Sequence, residues 1–308
     1  MGSKSNGRPV TVCAAIAANS LIAISKFIVA AITRSSAMLS EGIHSLADTG
    51  NQALLLLGIK LSKRPASQAH PFGRGQEVYF WSLIVAIMLF GLGGGLSLYE
   101  GIAHLRQPAE LGNPFWNYIV LGLAAIFEGS SLTVAYRELR RTTDERNLVL
   151  AVHDSKDPSA FVVLFEDSAA LAGLLVAFLG VFLGHRLGMP VLDALASILI
   201  AVILMAVAIF LAYESRELLL GESAAPEIVK SIEEIVSADD AIVNVFKPMT
   251  MHMSPDEVLL NMDLTFRRDL SSNEIAAAID RPESEIQSRH PQVTRIVFEA
   301  ETLRKQQD

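Results

Sequence analysis

Cysteine is nearly absent: Cys13 stands alone in 308 residues, which excludes an intrachain disulfide and any zinc cluster built on thiolates. Charge is also scarce, with 19% of residues charged against 51% hydrophobic, a balance typical of chains that sit in lipid. The chain has no His-Glu-xx-His, no Gly-xxxx-Gly-Lys-Ser loop and no Ser/His pair in a suitable context, so metalloprotease, nucleotide-hydrolysing and serine-hydrolase readings lose their support. Histidines and carboxylates are left as the pool of metal ligands.

Long apolar runs dominate what is present. Six stretches, near 10–32, 37–61, 77–103, 114–136, 159–184 and 191–213, meet the roughly 20 residues needed to cross a bilayer. Lys60, Lys63, Arg64 and Arg74 lie between the second and third, and Arg137, Arg140, Arg141, Arg146 and Lys156 between the fourth and fifth. The loops of opposite parity carry only Arg34, Arg106 and Arg186. The positive-inside rule then places both termini on the cytoplasmic side, or the matrix side in an organelle. The polar opening Met1–Arg8 leads into an apolar run with no small-residue cleavage site followed by a soluble domain, so that run is expected to be retained as a span. A multi-pass protein of a bacterial inner membrane, or of an organellar membrane, is expected.

Charge also divides the chain. Residues 1–221 hold 16 acidic and 16 basic side chains, leaving 17 acidic and 9 basic in 222–308, so the net charge of −8 belongs to the tail. The expected domains are 1–221 in the membrane and a polar 222–308 outside it. An acidic tail disfavours nucleic acid as a partner. Ile228, Val229, Ile232, Ile235 and Val236 mark a helical stripe, Ala241–Met251 is strand-like, and Val258, Leu260, Met262, Leu264 and Phe266 alternate with polar neighbours. Ser271-Ser272-Asn273-Glu274 has capping-box spacing and opens a second helix that Pro282 should break or kink. Arg295–Ala300 supplies a third strand. The order αββαβ is a ferredoxin-like half with an open sheet face suited to pairing with a second copy, so a homodimer is expected.

Within the second span, His44 and Asp48 stand one helical turn apart on one face, and imidazole beside carboxylate is half of a divalent-metal site. An ionised Asp at the centre of a membrane helix costs about 2.5–3.5 kcal/mol on insertion scales, so ionisable residues there are functional by default. The bland alternative is a structural contact between two buried polar groups. His153 and Asp157 repeat the spacing but lie in a basic loop, where Asp157-Pro158 has the pattern of a helix start. Lys26 and Glu128 can neutralise one another, move protons or snorkel, and Asn19 can approach the site or bond a neighbouring helix. Ala169, Gly173 and Ala177 on the fifth span, and Gly91 with Gly95 on the third, recur at spacings that let helices approach closely.

The six spans, His44-xxx-Asp48, the loop His70-Pro71-Phe72-Gly73-Arg74-Gly75, the stretch Leu98-Tyr99-Glu100-Gly101-Ile102 and the αββαβ tail together resemble the cation diffusion facilitators, from about Val10 to Thr302. The resemblance implies a homodimer in the lipid bilayer that exports Zn²⁺ or another divalent transition metal in exchange for protons. It also implies a second ligand pair on the fifth span. There Asp167 occupies the second position, Val163 stands where His or Asp is usual, and Glu166 beside Asp167 is similar to the branch that includes mitochondrial zinc transporters. Glu166, about 100° from Asp167 around the helix, joins the same ion only through rotation or distortion. Asn51, or water, is an alternative fourth donor. Secondary sites of the family are eroded here, with His70 beside Ser67 and Arg74, and Lys247, Asp263 and Glu299 at tail positions where relatives carry His. His252 and His290 remain as candidates. Nitrogen and carboxylate donors favour Zn²⁺ as cargo, with Fe²⁺, Mn²⁺, Co²⁺ and Ni²⁺ as alternatives. A non-transporting metal sensor or scaffold is the second reading.

Overall fold

The computed structural model describes residues 8–107, 112–142 and 158–300, and His153 and Asp157 lie outside the described residues. Six helices of 26 to 30 residues come first: α1 (Arg8–Thr33), α2 (Ser36–Ser62), α3 (Glu77–Arg106), α4 (Phe115–Thr142), α5 (Pro158–Leu187) and α6 (Val191–Leu220). At 1.5 Å per residue each is about 40 Å long. Among the described residues α3, α4, α5 and α6 are both long and apolar enough to cross a membrane. In α1 the apolar stretch is the shorter Asn19–Thr33. Helix α2 misses the criterion because it carries Glu41, His44, Asp48, Asn51 and Lys60 within one segment, the residues that give it chemical interest. Leu21, Ile24, Ile28 and Ile32 form an exposed apolar stripe on α1, as a lipid-facing helix requires. Helix α4 runs on to Thr142, so Arg137, Arg140 and Arg141 are helical extensions rather than loop residues.

The chain divides into two compact units. One holds residues 1–61 and 77–216, and the other holds 62–76 with 217–308. This differs from the expected boundary at 221 because the segment between α2 and α3 joins the second unit.

Within the first unit a carboxylate at the start of α6 fixes the start of α2. Arg34, with φ of 57°, turns the chain sharply between α1 and α2. Asp193 Oδ2 accepts hydrogen bonds from Ser36 N at 2.6 Å, Ser36 Oγ at 3.0 Å and Ala37 N at 3.3 Å, and Oδ1 accepts one from Ser35 Oγ at 2.6 Å. One acid thereby satisfies the first amides of α2 while sitting in the first turn of its own helix, where negative charge is favoured. A turn later Ser40 bonds Ser197, which donates to Ser97 O at 3.1 Å. These buried bonds lock the rotation of α2 against α6 and so aim its polar face.

Small residues set the remaining approaches. A Cβ on Gly173 of α5 would collide with Glu41 Oε1 of α2, and one on Gly94 of α3 would collide with Met205 of α6. The small stripe on α5 thus brings it against α2, as its spacing suggests. On α3 the close approach is at Gly94 rather than Gly91, which faces open space, because the helix widens into a π turn over Leu89–Gly95 and shifts the face its glycines present.

In the second unit, α7 (Pro226–Ser237) and α8 (Ser272–Arg289) accompany β1 (Ile242–Val245), β2 (Met249–Ser254), β3 (Glu257–Phe266) and β4 (Val293–Ala300). The expected first strand is broken in two. Both β1 and β2 pair antiparallel with β3, on successive lengths of it. Between them lies Pro248, which has no N–H to give a ladder. Strand β4 runs parallel to β3 on its other edge, with Val258 opposite Val293 and Asp263 opposite Glu299, the pairing that a helical crossover through α8 allows. Ile232, Ile235 and Val236 of α7 and Ala278 and Ile286 of α8 close the core over Val258, Leu260, Met262 and Leu264. Pro282 does not break α8. It is buried in the helix. Within the same unit the Arg295 guanidinium stacks over Phe72 at 5.2 Å, and Gly75 packs on the backbone of Met253.

Two contacts tie the unit's stability to pH. Hydrogen bonds from Arg281 hold the Asp239 carboxyl below its ordinary range, and those from the Ser271 backbone and hydroxyl, the reciprocal capping box, do the same for Glu274. Both groups have lowered folded-state values, so their stabilisation is complete above about pH 4–5 and is lost as pH falls through the lowered values. The tail's unfolding midpoint is expected to fall between pH 5 and acid, and the slope should flatten in Arg281→Ala.

Candidate metal centre

Helix α2 presents a polar face of Glu41, His44, Ser45, Asp48 and Asn51, spaced at turns of the helix and all buried. His44 Nδ1 lies 3.4 Å from Asp48 Oδ1, and neither ring nitrogen of His44 has a hydrogen-bond partner. Buried nitrogens and a carboxylate oxygen without hydrogen bonds are costly unless something binds them. From α1, Lys26 reaches the same face: its Nζ donates to Glu41 Oε2 at 3.0 Å and to Ser45 Oγ at 2.7 Å.

Helix α5 supplies two neighbouring carboxylates, and both are buried, Glu166 at 4% and Asp167 at 7% exposure. Asn51 Nδ2 donates to Glu166 Oε1 at 2.7 Å, so Glu166 faces α2. Asp167 instead takes a hydrogen bond from the Ser131 hydroxyl of α4, while its Oδ2 is left without a hydrogen-bond partner. The 100° between adjacent residues therefore separates the pair across two interfaces rather than turning one of them to lipid. Asp48, Glu128 on α4, Glu166 and Asp167 are near enough to act on one another electrostatically.

Among the described residues no three His, Cys, Asp or Glu side chains converge closely enough to hold one ion together. His44 and Asp48 form a ready pair, and Glu166 and Asp167 bracket it from α5. The Glu166 carboxylate is engaged by Asn51, and Val163, one turn before Asp167, supplies no donor atom. The secondary candidates stand apart: His70 lies in a tight turn with Ser67, His252 is buried on β2 with Nδ1 3.4 Å from Ser254 O, and His290 ends α8 with Nε2 2.8 Å from Ser231 Oγ.

The sequence leaves Lys26 open to neutralise Glu128, move protons or snorkel, and in the structure its direct partner is Glu41. The signal was available, since Glu41 precedes Ser45 by one turn and Asp48 by two. A glutamate near a helix start reads as ordinary dipole chemistry, which hid it.

The model of the cation efflux transmembrane domain matches residues 12–220, which takes in all of α2 and α5. This chain belongs to the cation efflux, or cation diffusion facilitator, family. It is an integral, multi-pass membrane protein. It is 34% identical over 335 residues to the mitochondrial proton-coupled zinc antiporter SLC30A9 of Xenopus laevis, covering 96% of this chain and 60% of that protein. Against the Homo sapiens antiporter of the same name it is 38% identical over 241 residues, covering 78% of this chain and 42% of the other. The manganese efflux system protein MneP of Bacillus subtilis is 23% identical over 237 residues, 75% of each chain. The chain thus spans about half the length of the zinc antiporters it matches. Relatives in this cation efflux family carry names for different metals, so cargo has to be argued from donors.

Asn51 ties Glu166 to α2. Asn51→Ala leaves a buried carboxylate oxygen without its donor and is expected to cost about 1.5–3 kcal/mol. In a double-mutant cycle with Glu166→Gln, thermal unfolding of the purified protein should give a coupling energy well above zero.

Proposed function

We propose that this cation efflux protein exports Zn²⁺ from the cytosol, or the matrix, by exchange with protons, and that His44, Asp48 and Asp167 bind the ion, with Glu166 or Asn51 completing the set. The observation that carries the reading is the burial, inside the helix bundle, of the His44–Asp48 pair on α2 opposite two adjacent carboxylates on α5. Imidazole with carboxylates suits zinc, which accepts irregular tetrahedral donor sets. The names of the antiporter relatives agree with zinc and with proton coupling. A carrier rather than an enzyme accounts for polar groups held this way in a membrane domain.

Loading follows from linkage. A metal binds neutral imidazole and ionised carboxyls, so its entry expels protons and proton return releases it on the far side. Where Glu166 completes the set, capture requires its carboxylate to leave Asn51, and Asp167 to turn toward α2. Both are side-chain rotations coupled to movement of α5 against α2, which is the rocking that alternating access needs.

In this reading all six helices cross the membrane, with α2 tolerated by its partners and cargo, and with both termini on the cytoplasmic or matrix side. Residues 1–221 form the transport domain. Residues 222–308 form a ferredoxin-like domain that pairs two copies and regulates them. The host membrane is the bacterial inner membrane or an organellar one. Any metal at His70, His252 or His290 is secondary.

Flux of Zn²⁺ into proteoliposomes under an imposed pH gradient tests the proposal. His44→Ala, Asp48→Ala and Asp167→Ala should each lower uptake to background, and Glu166→Ala reports whether that carboxylate is a ligand. Wild-type uptake in all four variants would overturn the site.

A further inference from the structure

Among the described residues Lys26 is the single buried lysine or arginine, with no exposed surface. Its ammonium is fixed between Glu41 and Ser45, which bracket His44 on α2. Its charge acts on His44, Asp48 and Glu128. Glu41 has its second oxygen turned to Gly173 of α5, without a hydrogen-bond partner. An ammonium has protons to donate and no lone pair, so Lys26 cannot ligate the cargo; it can only add charge beside it.

We propose that Lys26 sets the affinity of the transport site, as a tethered monovalent cation beside His44 and Asp48 that weakens the hold of the site's carboxylates on a divalent ion so that the ion can leave. Glu41 screens that charge and sets how strongly it is felt. The inference rests on the reading that these carboxylates hold the cargo. In a low-dielectric interior, like charges repel far more strongly than in water. A cluster of four acids with no built-in cation would trap zinc, and a carrier that binds too tightly turns over slowly.

The two partners of the ion pair therefore have opposite effects. Removing Lys26 deepens the negative potential at the site, and removing the charge of Glu41 unmasks Lys26. A pair that merely braced α1 against α2 would lose binding the same way whichever partner was changed.

Zn²⁺ affinity of the detergent-purified full-length protein, measured by competition with a chromophoric chelator, separates these cases, with proteoliposome flux as a companion. Lys26→Met is expected to lower Kd on the order of tenfold, with KM and kcat falling together. Glu41→Gln should raise Kd by a similar factor, and Lys26→Arg, which keeps the charge, should recover most of the wild-type value. Weaker binding in both Lys26→Met and Glu41→Gln, or no change in either, overturns this inference alone. If Lys26→Met does not yield folded protein, the neutral double variant Lys26→Met/Glu41→Gln decides: binding near the wild-type value supports the inference, because the two charge effects cancel, and binding as weak as in Glu41→Gln or weaker overturns it. A wild-type protein that neither binds nor moves zinc removes the transport reading and this inference with it.

Discussion

Ionised groups inside a bundle of apolar helices persist only where other groups answer their charge, and the first unit is organised around that requirement. Glu41, Asp48, Glu128, Glu166 and Asp167 are all buried, with Lys26 as their fixed countercharge. Glu41 takes the lysine, Glu166 takes the Asn51 amide and Asp167 takes the Ser131 hydroxyl. Asp48 meets His44. Four of the five acids thus have a provisional partner, and the acids outnumber the one buried ammonium among the described residues. In the proposed reading a divalent cation completes such an interior, and a proton substitutes for it in part, which is the physical content of the proposed exchange.

The scaffold serves that cluster. Asp193 caps α2 from α6 and sets its rotation, so that His44 and Asp48 face inward. Gly173 admits the Glu41 carboxylate, which brings α5 against α2 at the level where chemistry is needed. The π turn at Leu89–Gly95 loosens the third helix beside α6, a place where a helix bends at small cost. Family membership and these positions agree: the matched region contains every one of the buried acids.

Much of this was legible from local pattern. His44 and Asp48 declared themselves because i and i+4 on a helix share a face and lipid makes charge conspicuous. The strands of the tail followed from alternation, and the capping box from its spacing. Other features depend on neighbours that no local pattern contains. Asp193 reads as an acid in the first turn of its own helix, and its service to Ser35, Ser36 and Ala37 exists only once α2 and α6 meet. Glu166 and Asp167 divide between Asn51 and Ser131 because α5 is buried on two sides, which the helical wheel alone did not specify. Pro282 signals a break on propensity, and burial against the sheet overrides it. The segment 62–76 looks like a loop between spans, yet Phe72 and Gly75 pack with Arg295 and Met253 of the second unit.

The central claim is that zinc exchanges its water for imidazole and carboxylate between α2 and α5. X-ray absorption at the zinc edge, on protein loaded with one equivalent, addresses it directly. The account predicts a first shell of nitrogen and oxygen at about 2.0–2.2 Å without sulfur, and an imidazole scattering signature that disappears in His44→Gln. An imidazole signature that survives in that variant would contradict it.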